Sequence, residues 1–437
     1  MTRAWHVPRL RSTRAQGNSE ETKLIQSRGM GKTMDADVIV VGAGLTGLSA
    51  ACELSRAGLS VLVFEKSANV GGRMSTHIVN GYKLDHGFQI LLTAYPEMKK
   101  IDGLAKLAGR SFSSGARIRT QGRFVDFCDP LRHPDHIFST LLSPLARVTD
   151  LVRLFALTKA RRTSCVERGL STYEGLRASG FSEGFQEAFL RPFLRGVLLD
   201  PHLRVDYGLA CFYLQMFAKG EAVLPEGGIQ ARPNLLADQI GRSHIRLNTA
   251  VNGLSSHEIT LENGDTFGAQ QVICAVDTMA ATQLGSPEQA MHHLSTSTLY
   301  FSAPEPPFSE PIVVLSAEEG PIATLAVLTN VQPSYAPPGR TLIAIATIGE
   351  SALLPEDVLS DRVLAQAQRW YGDSVRSWSL IRRIGIPAGV VGRPRMAKGF
   401  IDQAGILFAG DYLSYPSQNG ALAAGRAAAD HALERIS

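Results

Sequence analysis

The apolar positions of this chain follow two rhythms, and the changes between them mark the elements. Asp37–Val41 is a short β-branched run without alternation, the pattern of a strand buried on both faces of a parallel sheet. Gly42-Ala43-Gly44-Leu45-Thr46-Gly47 follows at once. Then come a stretch of helical composition, Leu48–Arg56, a helix stop at Gly58 and a second apolar strand, Ser60–Phe64. A similar order returns at the far end: Ile406–Ala409 reads as a strand, Gly410-Asp411 as a turn, and the alanine-rich segment from about Asn419 as a helix. Residues 101–221 read as helical, with an amphipathic helix over about Leu145–Arg162. Val148, Leu151, Val152, Phe155 and Leu157 fall mostly on one of its faces, while Arg147, Arg153, Lys159, Arg161 and Arg162 crowd the rest. Runs at Pro311–Ser316, Pro321–Asn330 and Thr341–Gly349 read as strands, separated by Pro/Gly turns such as Pro333–Arg340.

A chain of 437 residues is too long for one simple core, so two domains are expected. Hydrophobic content of 44% and charge of 19% describe an ordinary soluble globular protein. No run reaches the roughly 18 apolar residues of a spanning helix. Cys52, Cys128, Cys165, Cys211 and Cys274 are far apart and form no Cys-x-x-Cys pair, which points to a reducing compartment, the cytoplasm. The net charge of +4 is unevenly spread. Residues 1–34 hold seven basic residues against two acids, which leaves −1 for the rest. The body therefore offers no basic field for nucleic acid. The basic tail has no apolar centre and reads as disordered; organelle targeting and an over-extended start before Met30 or Met34 both remain open.

The opening strand–turn–helix–strand unit carries chemistry. Gly42 permits the tight turn, Gly44 lets a pyrophosphate approach the backbone, and Gly47 lets helix and strand pack closely. The helix tip at Leu45 and Thr46 then offers N–H groups to the phosphate charge. Glu65, 18 residues beyond Gly47, can accept hydrogen bonds from ribose hydroxyls and repels a 2′-phosphate, which disfavours NADP.

"EKSANVGGR" (Glu65–Arg73) and "GILFAGDYLSYPSQNGALAAGRAAADHAL" (Gly405–Leu433) resemble the opening and closing FAD motifs of the flavin amine oxidase and phytoene desaturase superfamily. "AVLPEGGIQARPNLLADQIGRSHIRLNTAVNGL" (Ala222–Leu254) resembles its middle motif, and the likeness covers about two-thirds of the chain. The resemblance implies an α/β fold: a Rossmann-like FAD-binding domain of the glutathione-reductase type, assembled from 35–100, 222–290 and 385–437. An α+β substrate domain would come from 101–221 and 291–384, as a helical lid over an antiparallel sheet. It also implies site residues. Lys66 follows the ribose acid, Gly72 and Arg73 run beside the pyrophosphate, and Gly87 with Phe88 or Gln89 lies along the isoalloxazine. Val251 holds the adenine, Gly410 and Asp411 meet the ribityl or phosphate region, and Gly420 and Ala421 sit in the helix that points at the flavin ring.

Hydride transfer to a flavin needs no protein nucleophile, so apolar and aromatic walls are the expected signature. His86 is the candidate acid or base, with a hydrogen-bonded structural role as the alternative. Tyr412 and Tyr415 are candidate walls on the substrate side. His292-His293 lacks a third ligand and reads as surface loop, so no metal is expected. No cysteine follows Cys274, which implies non-covalent FAD. Several amine-oxidising relatives carry a lysine in a substrate-domain strand, yet Ser295–Pro307 has none. The resemblance therefore implies an FAD-dependent oxidoreductase that takes a hydride from a small, apolar organic substrate. The alternatives are an amine oxidase releasing hydrogen peroxide and a flavin-free carrier like the Rab GDP-dissociation inhibitors. The basic helix would press on an anionic membrane surface or serve as a solvated lid. Substrate identity, electron acceptor and oligomeric state are not readable at this level.

Overall fold

The computed structural model describes residues 34–103, 107, 109–128, 146–159, 169–287, 293–392 and 398–436. The basic tail, except its last residue, lies outside them, as do Cys165, His292 and both predicted ends of the amphipathic helix. The fold is α/β, organised around two large sheets.

The first sheet has a parallel centre in the order Ile245–Arg246, Val61–Phe64, Ala36–Val41, Thr266–Cys274, Ile406–Ala409. The unalternating run at the start of the chain thus becomes an inner strand: Val38, Ile39 and Val40 are fully buried. Strands from opposite ends of the sequence flank Thr266–Cys274 as near neighbours in the sheet. Three helices accompany this sheet: Leu45–Arg56, which packs on its strands, Ala231–Ile240, which packs on Leu45–Arg56, and the closing helix Gln418–Ile436, which also packs on the strands. The first and last of these meet at Gly425, where a Cβ would stand 2.2 Å from the Thr46 carbonyl oxygen. Ser49 Oγ donates to the Leu422 carbonyl across the same contact (2.9 Å).

The second sheet runs Ser379–Val391, His293–Ala303, Thr341–Ile348, Thr324–Val327, Val313–Ser316, Gly115–Thr120, Arg123–Cys128. All its pairings are antiparallel except that of Val313–Ser316 with Gly115–Thr120. Its long inner strand His293–Ala303 sorts its side chains by parity. Leu299 and Phe301 join the core formed with the helix Glu356–Tyr371, while Thr296, Thr298 and Tyr300 face the opposite side.

Several expectations need correction. Residues 101–221 are not wholly helical. Gly109–Ser111 is a short strand, and Gly115–Thr120 with Arg123–Cys128 is a hairpin that extends the second sheet. Its two-residue turn, Gln121-Gly122, places both φ angles positive, at 48° and 74°, the geometry that matches strand twist. The strand Ser379–Val391 passes through position 385, where a boundary was expected, and pairs along its length with His293–Ala303. His293 opens a strand instead of lying in a loop. The first helix begins at Leu45, so Gly47 lies inside it. The amphipathic helix is described over Val148–Lys159 and is less one-sided than expected: Leu151, Leu154 and Leu157 pack against the core, whereas Val148, Val152 and Phe155 are exposed.

Candidate functional site

A cavity of about 1430 Å³ opens between the two sheets. At one end lies the tip of the helix Leu45–Arg56, which has no capping side chain and no acid in its first turn. Its first N–H groups are therefore free of the usual side-chain cap, as an anion site requires. Gly44 and Gly72 form the neck of this end: a Cβ built on Gly72 would lie 3.6 Å from Gly44 Cα. A Cβ built on Gly44 would meet nothing within 4 Å, because it would project into open cavity.

Glu65 directly follows the strand Val61–Phe64 and is buried. Its carboxylate accepts from the Ala43 N–H (2.8 Å) and the Ser67 N–H (2.9 Å), which fixes it against the glycine turn while leaving it on the cavity wall. Lys66 and Val251 line the same end. Arg73 Nη2 donates to Asp411 Oδ1 (2.6 Å) and its Nη1 to the Gly389 carbonyl (2.8 Å). This pair joins the two terminal motifs across 338 positions of sequence. The Asp411 carboxylate holds the guanidinium above its ordinary range, so Arg73 is a fixed positive charge facing the cavity.

Farther along, the turn at Gly87 and Phe88 forms the wall. Gly87 has a φ of 88°, and a Cβ there would stand 2.9 Å from Ile386 Cδ1. Phe88 N–H donates to Thr298 Oγ1 (2.9 Å), and Gln89 Nε2 ties the turn to the Arg73 and His86 carbonyls (2.7 and 2.9 Å). His86 also lines the cavity. Its Nδ1 lies 3.5 Å from His77 Nε2, and burial together with that neighbour holds its ring below the ordinary histidine value. The imidazole is accordingly neutral near pH 7. The far end of the cavity is apolar, with Phe127, Phe189, Phe193 and Phe217 in an unbroken row of ring contacts at 4.4, 5.7 and 5.0 Å between successive centroids. The helices Val148–Lys159, Arg191–Leu198 and Tyr207–Lys219 supply much of this end.

Of the residues singled out from sequence, Gly42, Gly44, Leu45, Thr46, Glu65, Lys66, Gly72, Arg73, His86, Gly87, Phe88, Val251, Gly410, Asp411 and Ala421 share this one cavity. Four others do not line it. Gly47 packs helix on strand, where a Cβ would meet the Gly42 carbonyl oxygen at 1.9 Å, and Gly420 packs likewise against the Tyr415 carbonyl oxygen. Tyr412 and Tyr415 are buried core residues rather than substrate walls: Tyr412 lies in a small cluster with Phe408 and Cys274, and Tyr415 packs edge-on against Phe212 and accepts from Asn419 Nδ2. The phenylalanine row was missed. Phe185, Phe189 and Phe193 recur every four residues, so a face-by-face reading of 181–193 would have found part of it.

The donor set fits a flavin dinucleotide. An uncapped helix tip beside a glycine neck and a fixed arginine suits a diphosphate, a carboxylate 18 residues on suits a ribose, and an apolar extension leaves room for a second molecule. Comparisons with known proteins agree. The chain is 34% identical over 119 residues to a 4,4′-diapophytoene desaturase from Staphylococcus haemolyticus, a match spanning 27% of this chain and 21% of that protein. The matched stretch is thus about a fifth of that relative's length. An oxidoreductase from Methanosarcina mazei superposes with a TM-score of 0.72 over 89% of this chain and 98% of its own, at 18% identity. Cyclohexylamine oxidase from Brevibacterium oxydans does so with 0.69 over 92% and 99%, also at 18%. These two show the shared fold. The sequence model of the flavin containing amine oxidoreductases matches residues 45–433. Nearly the whole described body lies within that match, and the chain belongs to the flavin containing amine oxidoreductase family.

Proposed function

We propose that the protein is an FAD-dependent dehydrogenase that removes a hydride from a small apolar organic substrate. The observation that carries this reading is the phenylalanine-lined end of the cavity, continuous with the dinucleotide end. The sheet built on His293–Ala303 forms the floor of a substrate domain, and the parallel sheet with its three helices forms the cofactor domain. Non-covalently bound FAD supplies the hydride acceptor. The tip of the helix Leu45–Arg56 and Arg73 hold its diphosphate, Glu65 the ribose and Val251 the adenine. Asp411 fixes Arg73, and the Gly87–Phe88 turn sets the face along which the substrate lies.

Phe127, Phe189, Phe193 and Phe217 exclude water and align an apolar carbon skeleton. Neutral His86 accepts the proton that leaves with the hydride, and His77 lies next in line toward solvent. On the strand His293–Ala303, Thr296 lines the cavity and Thr298 Oγ1 accepts from the Phe88 N–H of its wall, and the strand carries no lysine. That weighs against amine oxidation. A reducing compartment, the cytoplasm or an organelle reached through the basic residues 1–34, suits the buried thiols of Cys52 and Cys274, each pushed up to about 12 by burial. No described helix is long and apolar enough to cross a membrane. The exposed Val148, Val152 and Phe155 at the cavity mouth support peripheral contact with a lipid surface instead.

The test is anaerobic bleaching of the FAD-loaded protein by a panel of amines, acyclic isoprenoids and sterol-like lipids. Loss of the yellow colour with apolar compounds alone is expected. Bleaching by amines, with peroxide formed on admitting air, would establish the amine oxidase reading. Protein that folds yet never takes up FAD would establish the carrier.

A further inference from the structure

Behind the start of the closing helix lies a charge with no counter-charge. Arg232 is fully buried, in the first turn of the helix Ala231–Ile240. Its Nη1 donates to Gln418 Oε1 (2.8 Å), its Nη2 abuts the Met98 thioether, and its Nε has no hydrogen-bond partner. No carboxylate among the described residues pairs with it. Glu97, the buried acid next to the Met98 that the guanidinium abuts, is taken by Lys100 and Arg426 (2.7 and 3.0 Å). Burial pulls the guanidinium down to about 9, which still leaves it charged at neutral pH.

The placement is electrostatically adverse. A cation in the first turn of a helix opposes the helix dipole. Gln418 is the first residue of the closing helix, so a second positive helix end lies on the far side of the hydrogen bond. Three positive contributions therefore converge on one buried spot, and breaking or leaving unpaired a buried charge is among the costliest arrangements in a protein. Gln418 lines the cavity, and its Nε2 donates to the Ile90 carbonyl (3.1 Å), so its side chain is held at both ends.

We propose that Arg232, acting through Gln418 and the tip of the closing helix, is a positioning residue whose positive charge stabilises the negative charge a flavin takes up on reduction, and so sets the preference of this site for the reduced cofactor. The proposal rests on the FAD reading above. A charge near the ring is one of the few levers by which a protein tunes a flavin. Arg232 would supply it from behind the wall, without touching substrate.

The experiment measures the midpoint potential of the bound flavin by equilibration with reference dyes, in wild type, Arg232→Met and Arg232→Lys, with FAD affinity and circular dichroism followed in parallel. Arg232→Met is expected to lose at least tenfold in preference for the reduced over the oxidised cofactor, a fall of about 30 mV for a two-electron couple. Arg232→Lys should recover most of that shift. A merely structural arginine would alter folding or FAD affinity and leave the potential in place. Should Arg232→Met not fold, Gln418→Glu sets a carboxylate against the guanidinium and should lower the potential in the same direction. A folded, FAD-loaded Arg232→Met or Gln418→Glu protein with the wild-type potential overturns the proposal. Wild-type protein that binds no FAD would overturn the cofactor assignment on which it stands.

Discussion

Three glycines of one motif make different predictions, because the space around each differs. Gly44 has ordinary φ (−74°) and open cavity where a Cβ would go. Gly42 has a φ of 101° and the Ala275 carbonyl oxygen 2.8 Å from its missing Cβ. Gly47 would drive a Cβ into the Gly42 carbonyl oxygen. Gly44→Val should therefore fold like wild type and lose FAD affinity by about a hundredfold, roughly 3 kcal/mol. Gly47→Ala should cost about 1–3 kcal/mol of stability through overpacking. Thermal unfolding of the cofactor-free proteins and FAD titration separate the two, and wild-type affinity in Gly44→Val would refute the glycine neck. This residue-scale detail was largely legible from the sequence, since the spacing of Gly42, Gly44, Gly47 and Glu65 is itself the backbone geometry. Tyr412 and Tyr415 were misplaced for the converse reason. They stand close to Asp411 in sequence, but no local pattern says which way a side chain points in an irregular turn such as Asp411–Leu413.

Among the elements, Asp85 holds the most parts together. It ends the strand Tyr82–Asp85, and its buried carboxyl accepts from Thr76 Oγ1 (2.7 Å), the Ile229 N–H (2.9 Å) and the Tyr335 hydroxyl (2.9 Å). Its carbonyl accepts from the Tyr300 hydroxyl (2.8 Å). One residue thus ties the hairpin before His86 to the turn preceding Ala231–Ile240 and to the second sheet. Burial raises this carboxyl from 3.8 to about 6. An acid whose folded-state value is raised binds its proton more tightly when folded. Its contribution is complete below about pH 4 and is lost as pH rises through about 6, by an amount on the order of 3 kcal/mol. Between pH 4 and pH 7 the stability difference between wild type and Asp85→Asn in urea unfolding should move by about that much in favour of Asp85→Asn, and a constant difference would contradict it. The sequence exposed the turn Asp85-His86-Gly87 but not this hub, because Tyr300 and Tyr335 lie more than 200 positions away. The hairpin Gly115–Cys128 was overlooked for a different reason: Gln121-Gly122 is a weaker turn signal than Asn-Gly, and the helical surroundings drew the reading.

At the scale of the whole molecule, the helix Val148–Lys159 is both a cavity wall and an outer surface. Asp150 anchors it, accepting from the Ser182 N–H and hydroxyl (2.7 and 2.6 Å) and from the Arg147 N–H (3.0 Å). Leu151 and Leu154 then face inward, while Val148, Val152 and Phe155 are 65, 63 and 52% exposed at the cavity mouth. Exposed apolar side chains at the entrance of a phenylalanine-lined chamber, flanked by the exposed bases Arg147, Arg153 and Lys159, are what the proposed peripheral contact with an anionic lipid surface requires. Each base contributes about 1 kcal/mol near such a surface, an interaction that falls off beyond roughly 8 Å at physiological salt. Full-length protein should therefore sediment with phosphatidylserine-containing vesicles at low salt and be released by raising it. Val152→Asp combined with Phe155→Asp should abolish the binding while leaving FAD affinity and the rate of flavin bleaching by detergent-dispersed substrate within a factor of about two. Binding that survives this double change would instead belong to the basic residues 1–34, and the mouth of the cavity would then be an entrance reached from water.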